Sequence, residues 1–231
     1  MILAAHQPQY LPWLGYLDKI DRADVFVVLD RVQFEKNDWQ NRNRIKRPGG
    51  WHWLTVPVRH RFPQGIHEVE IADPRWRRKH HRALQVAYGQ AAYFEHEVGR
   101  LDAIYGREWG DLLSLNLKIL RHLTERFDIE TPIVLAGDFE NPSSSHADGR
   151  LISLCRLLGA DTYLAGAGGR DYMDLSLWRR AGIRVVFQEF VHPVYPQLHG
   201  GFVPGLSAVD LLMQCGPEGF ARVRRARQEA A

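Results

Sequence analysis

The sequence predicts an α/β fold built on an open, mostly parallel sheet flanked by helices, and three features carry that expectation. Ile2-Leu3-Ala4-Ala5 is a short apolar run halted by a proline-rich loop, the pattern of a buried strand. After Pro12, the residues Trp13, Leu14, Leu17 and Ile20 fall at helical spacing, and a proline near a helix start gives up only an N–H that would lack a partner there. Val25-Phe26-Val27-Val28-Leu29 is a continuous β-branched and aromatic run, as expected of a strand covered on both faces. Strand, loop, helix, strand opens a parallel βαβ unit.

Between Asp30 and Pro63 the chain changes character, with Trp39, Trp51 and Trp53 set among Asn, Gln and Arg. Trp53-Leu54-Thr55-Val56-Pro57-Val58 reads as a strand, and Ile66, Val69 and Ile71 suggest another, so this stretch is a β excursion carrying a long loop. Residues 76–127 read as mostly helical, with Leu101, Ile104, Tyr105, Leu112, Leu120, Leu123 and Phe127 marking an apolar stripe. Pro132-Ile133-Val134-Leu135-Ala136 begins a second α/β part. Ser143, Ser144 and Ser145 offer N-caps for a helix running to Leu158, with Gly159 as its stop. Strands at 162–165 and 184–189, a loop Gly166-Ala167-Gly168-Gly169 and a short helix at 175–181 follow. The last packed helix runs from Ser207 to Cys215, with Ser207 and Asp210 spaced as a capping pair, and the tail is helical and basic. No composition break divides the chain. It reads as one domain over 1–231, with an N-terminal part at about 1–72, a helical insertion at about 73–130 and a second α/β part at about 131–231.

Hydrophobic residues at 45% suffice for a packed core, and charged residues at 25% are ordinary for a globular chain. The formal charge of +3 is too small to argue for duplex DNA binding. Basic residues cluster at Arg42, Arg44, Lys46 and Arg47, at Arg75, Arg77, Arg78 and Lys79, and at Arg222, Arg224, Arg225 and Arg227. The second and third clusters read as solvated surface; a phosphate-bearing small molecule or a transient RNA contact stays open. Cys155 and Cys215 lie in apolar helical stretches without CxxC spacing, so buried free thiols are expected. The N-terminal apolar run stops at His6 and no segment reaches membrane-spanning length, which points to a cytoplasmic, soluble protein.

Four constellations carry possible chemistry. The segment His6-Gln7-Pro8-Gln9-Tyr10-Leu11-Pro12 sits at the carboxyl end of the first strand, where open α/β sheets bind ligands, and its prolines stiffen it. His6 suits general acid–base work near neutral pH. The run from Gln33 to Lys46 is dense in amides and guanidinium groups, with Gln40, Asn41, Arg42, Asn43 and Arg44 placed to clasp a substrate rich in oxygen acceptors and Trp39 to stack on a base or sugar. Arg150, with Gly166 and Tyr172 from the glycine-rich turn, would meet an anion, although the spacing is no Walker A or GxGxxG fingerprint. Tyr195 and Gln197 would close a pocket from the other side. His6, His192 and His199 lack HxH or HExxH spacing, and no metal is expected.

Together the segments His6-Gln7-Pro8-Gln9-Tyr10-Leu11-Pro12-Trp13-Leu14-Gly15-Tyr16, Val32-Gln33-Phe34, Trp39-Gln40-Asn41-Arg42-Asn43-Arg44-Ile45-Lys46, Trp53-Leu54-Thr55-Val56-Pro57-Val58, Leu158-Gly159-Ala160-Asp161-Thr162-Tyr163-Leu164-Ala165-Gly166 and Leu206-Ser207-Ala208-Val209-Asp210-Leu211-Leu212 resemble the WbqC-like protein family over nearly the whole chain. That resemblance implies a bacterial enzyme of surface-polysaccharide or specialised-metabolite biosynthesis, of glycyl or aminoacyl transferase type. A second likeness is to nucleotidylyl transferases and pantothenate synthetases, of HUP or Rossmann-like fold. Trp13-Leu14-Gly15-Tyr16 falls where those proteins carry H-x-G-H, and both signature histidines are replaced, by Trp13 and Tyr16. The usual phosphate-gripping pair is then gone, and His6 would take over part of its role.

The leading expectation is a transferase that acylates an amine. His6, Tyr10 and Lys46 are the catalytic candidates; Gln7, Gln9, Trp13, Trp39, Gln40, Asn41, Arg42, Asn43, Arg44, Arg150, Gly166, Tyr172, Tyr195 and Gln197 are the substrate-binding candidates. The substrate would be a small molecule, nucleotide-linked or carrier-bound. An ATP-dependent amide ligase or nucleotidyl transferase, with ATP or another nucleotide as cofactor, is the first alternative. A non-catalytic binder of RNA, tRNA included, or of a carrier protein is the second.

Overall fold

The computed structural model describes residues 1–139 and 146–230. Its central sheet holds β1 (Ile2–His6), β2 (Val25–Val28), β7 (Ile133–Leu135), β8 (Thr162–Ala165) and β9 (Arg184–Phe187). They lie in the order β7-β2-β1-β8-β9, all parallel. From one edge the strands are therefore third, second, first, fourth and fifth along the chain, and the order reverses between β1 and β8. This is the α/β class the sequence predicts.

The alternation of side chains along these strands divides the apolar interior in two. Ala4, Phe26, Val28 and Leu164 face α1 (Leu14–Asp21), α4 (Leu112–Arg126) and α7 (Ala208–Cys215). Leu3, Ala5, Val25, Val27, Tyr163 and Ala165 face α5 (Ala147–Leu157) and α6 (Leu175–Arg180). On that second face Trp178 stacks on Tyr163 with ring centres 4.7 Å apart. The continuous apolar runs of the sequence follow from this double coverage.

The β excursion is an antiparallel hairpin of β3 (Arg42–Arg47) and β4 (Gly50–Thr55), followed by a short ribbon of β5 (Val58–Arg59) and β6 (Glu70–Ile71). The strand expected over 53–58 breaks after Thr55, because Pro57 donates no ladder hydrogen bond. Where Ile66 to Ile71 suggested one strand, a 3-10 turn at Ile66–Glu68 comes first, closed by the Glu68 carboxylate accepting from the Gly65 N–H at 3.0 Å. The helical insertion is α2 (Trp76–Tyr88), α3 (Phe94–Tyr105) and α4, parted at Gly89 and by the residues from Gly106 to Gly110. The Ser143–145 caps lie outside the described residues; α5 starts at Ala147 with His146 at its N-cap. The Gly166 loop is wound into a 3-10 turn at Ala167–Asp171. Past α7, α8 (Ala221–Glu229) forms the basic tail. Ser207 caps α7 as expected, but Asp210 does not complete the pair: its carboxylate is buried and accepts from Gln197 Nε2 at 2.9 Å. Cys155 is buried, and burial pushes its thiol up to about 12, whereas Cys215 is only partly covered.

Candidate active site at the reversal of the sheet

Two chambers open where the parallel strands end. The first, about 570 Å³, is lined by residues at or just past the ends of four of the five strands: His6 and Gln7 at β1, Arg31 and Gln33 after β2, Ala136 after β7, and Gly166, Gly168, Gly169 and Tyr172 after β8. Arg150 and Leu154 of α5 close its floor. The second, about 680 Å³, is lined by Trp13, Tyr16, Arg44, Gln188, Phe190, His192 and Gly205 among others. His6, Lys19, Gly166 and Gly168 border both. The carboxyl edge of such a sheet, at the reversal of strand order, is where open α/β folds bind ligands.

The His6 loop is held on all sides. Leu29 N–H donates to the His6 carbonyl at 2.8 Å, Tyr10 N–H to the Trp39 carbonyl at 3.0 Å, and Ala208 N–H to the Pro12 carbonyl at 2.8 Å. Asn43 Nδ2 donates to the carbonyls of Leu11, at 2.6 Å, and Tyr10, at 3.3 Å, and so supports Leu11, which adopts a φ of 47°. Gln40 Nε2 donates to Gln7 Oε1 at 2.8 Å.

This bracing sets the state of the imidazole. His6 Nδ1 donates to the Gln7 carbonyl at 3.1 Å, which leaves Nε2 as the lone-pair nitrogen. The Tyr16 ring packs edge-on against His6 at 5.1 Å and its hydroxyl donates to that same carbonyl at 3.1 Å. Burial, with help from the positive charge of Lys19, lowers the pKa of His6 to about 4. At neutral pH the ring is an uncharged base.

Lys19 is the residue that sequence reasoning missed. It lies on α1, yet only 3% of it is exposed. Its Nζ donates to the Ala5 carbonyl at 2.9 Å and sits 5.9 Å from the centre of the Tyr163 ring. Burial lowers its pKa to about 7. Gly15 precedes it by one helical turn and also borders the second chamber, and the indole of Trp13 lies in the space that a Cβ at Gly15 would take. A lysine inside an apolar helix stripe, four residues after a glycine, was the available signal. Arg31, Gln188 and Phe190 were missed too, and nothing in their local spacing marks them.

The sequence candidates separate by position. His6, Gln7, Arg150, Gly166 and Tyr172 line the first chamber, and Trp13 and Arg44 the second. Trp39 and Arg42 join an exterior stack: Arg42 lies 4.2 Å from the Trp53 ring centre, and Trp39 meets Trp53 at 5.5 Å. The others border neither chamber. Tyr10 is buried in the core, its hydroxyl hydrogen-bonded to Tyr105 at 2.8 Å and to His80 Nδ1 at 2.7 Å. Asn41 supports the Val56 carbonyl at 2.9 Å, and Gln9 is buried. Lys46 is fully buried, with Nζ donating to the carbonyls of Gly200, at 2.9 Å, and Gly201. Gln197 joins Lys46 to Asp210, with Tyr195 buried beside them. The histidine loop and the Asn/Arg segment meet through Gln40 on Gln7 and through Arg44, which borders the second chamber with His6, while Asn41 and Asn43 hold backbone. His199 Nε2 donates to the Ala87 carbonyl at 2.8 Å, away from His6 and His192.

Among the described residues, the first chamber carries Lys19, Arg31 and Arg150 against one carboxylate, Glu35, and so favours anions. None of those three cations has a carboxylate within ion-pair reach among the described residues. Arg170, by contrast, pairs with Glu189 at 2.6 Å on the surface. Asp148 is occupied in joining α5 to α6, accepting from Trp178 Nε1 and from the Asp174 N–H, each at 2.9 Å.

Sheet and cleft together define a doubly wound α/β protein with an open, cationic cleft at its strand-order reversal. The chain belongs to the WbqC-like protein family, whose profile matches residues 7–222. It is 38% identical over 233 residues to Uncharacterized protein Rv1507c of Mycobacterium tuberculosis (strain ATCC 25618 / H37Rv), an alignment covering 98% of this chain and 99% of that relative. No solved structure matches it. Among the described residues no helix is long and apolar enough to cross a membrane.

Proposed function

We propose that the protein is a transferase that moves an acyl or aminoacyl group from an anionic carrier onto an amine. The observation that carries this reading is the pairing of an uncharged His6 with Lys19 on the wall common to both chambers. The first chamber, with Arg31 and Arg150, takes the donor by its phosphate or carboxylate. The acceptor amine enters from the second. Its nitrogen attacks the acyl carbon, a new amide C–N bond forms, and the bond to the carrier breaks. His6 Nε2 takes the proton from the attacking nitrogen and passes it to the leaving carrier. Lys19, when protonated, stabilises the oxyanion of the tetrahedral intermediate. The reading places that reaction in surface-polysaccharide or specialised-metabolite assembly, and the family resemblance is its support.

The strand order and the cationic first chamber favour one second reading, activation of an acid by ATP before amide formation. The experiment pairs acyl phosphates, acyl thioesters and aminoacyl adenylates with amines, with and without ATP, and follows products by mass spectrometry. Amide formed without ATP, and abolished in His6→Ala, supports transfer. Amide formed only with ATP, with release of AMP or pyrophosphate, supports activation. Amide formed equally well by His6→Ala removes the site from the reaction.

A further inference from the structure

The second chamber has its own chemistry. Its walls are aromatic: the rings of Trp13 and Phe190 meet edge to face with centres 5.1 Å apart. Its charge is positive, because Lys19 and Arg44 border it and no carboxylate among the described residues does. Arg44 is held in place by a hydrogen bond from Nη2 to the Gly205 carbonyl at 3.0 Å and by the rings of Trp51, Trp39 and Trp53, whose centres lie 5.0, 5.5 and 5.8 Å from its guanidinium. It has no carboxylate partner among the described residues, and its Nε is buried without an acceptor. His192 donates from Nδ1 to the Pro193 carbonyl at 2.9 Å, so its Nε2 is a lone pair, and that atom too is buried without a partner.

Each feature selects a group on the ligand. A braced, unpaired guanidinium calls for a planar anion, and a carboxylate matches its fork. Indole and phenyl walls call for a flat apolar body. A lone-pair nitrogen calls for an N–H. Two cations with no carboxylate oppose a bound ammonium, which excludes aliphatic amines in their neutral-pH form but leaves aryl amines, which are uncharged there.

We propose that this chamber is the acceptor subsite and that its ligand is a flat aromatic amine bearing a carboxylate. The word acceptor rests on the transferase reading above; the binding claim stands without it.

The test is calorimetric titration of the intact protein with para-aminobenzoate, benzoate and aniline. Para-aminobenzoate binds most tightly and aniline most weakly. Arg44→Gln weakens both carboxylates roughly tenfold or more and leaves aniline as it was; Arg44→Lys, which keeps the charge, restores part of the loss; Trp13→Ala weakens all three. Circular dichroism checks that each variant folds. No binding of para-aminobenzoate at millimolar concentration, or benzoate binding indifferent to both Arg44 variants, overturns the subsite. Arg44-dependent binding with no amide formed from any donor leaves the subsite standing and removes the transferase reading instead.

Discussion

Among the described residues, His6 and Lys19 are the two ionisable side chains that border both chambers, and the charge of Lys19 lowers the proton affinity of His6. One comes from the end of β1 and the other from the helix that follows it, so a single βα unit supplies both.

Turnover should have two pH limbs. The base form of His6 is present above about 4, and the cation of Lys19 is present below about 7. The rate of amide formation is therefore highest between those values and falls as pH rises through 7. Replacing Lys19 by Arg, which stays charged, moves the alkaline limb upward. A profile flat from pH 6 to 9 contradicts the role given to Lys19.

Lys19 costs stability where its unfolded form is charged. Its folded pKa of about 7 lies below the ordinary 10.5, so between these values the unfolded chain binds more protons and stability rises with pH. Lys19→Met should stabilise the protein at pH 6 by roughly 2–4 kcal/mol, a gain that fades toward pH 10.5. Urea denaturation at the two pH values measures it.

His80 works in the acid range. Buried against Tyr10, its ring has a pKa lowered to about 4 from 6.5, mainly by desolvation. The folded chain binds fewer protons between those values, so stability is lost as pH falls through 6.5 toward 4. The loss attributable to His80 is roughly 3 kcal/mol. In His80→Gln the slope of stability against pH over this window should be shallower.

Lys46 is placed here in the scaffold. Lys46→Met leaves the carbonyls of Gly200 and Gly201 without their donor and should lower stability by roughly 1–3 kcal/mol. Turnover per folded molecule should stay within about twofold. A loss of about a hundredfold or more would return Lys46 to the reaction.

Gly15 admits the indole of Trp13. A Cβ there would fall inside the van der Waals envelope of that ring. Gly15→Ala should displace Trp13 and weaken para-aminobenzoate binding roughly tenfold, with a smaller change for an anionic donor bound in the first chamber.

The sheet was legible because two-sided burial writes itself into sequence as unbroken apolar runs, and residues 2–5 and 25–29 carry that mark plainly. The His6 loop was legible because prolines and polar groups follow a strand. Lys19 was not, because a buried lysine looks like any helical lysine until the strand beside it is known. The amides of Asn41 and Asn43 misled for the converse reason: an amide holding a backbone carbonyl has the same letter as one reading a substrate. Arg44 and Lys46 sit two residues apart on β3, one bordering a chamber and one sealed beneath the loop at 197–201, a difference set by tertiary packing alone.

The most direct test is a single-turnover measurement of amide formation by the native protein and His6→Ala, with one acyl donor and one aryl amine carboxylate at saturating concentration. A loss of roughly a hundredfold to ten-thousandfold, with the melting transition and donor binding retained, is the predicted result. Turnover by His6→Ala at the native rate would contradict it.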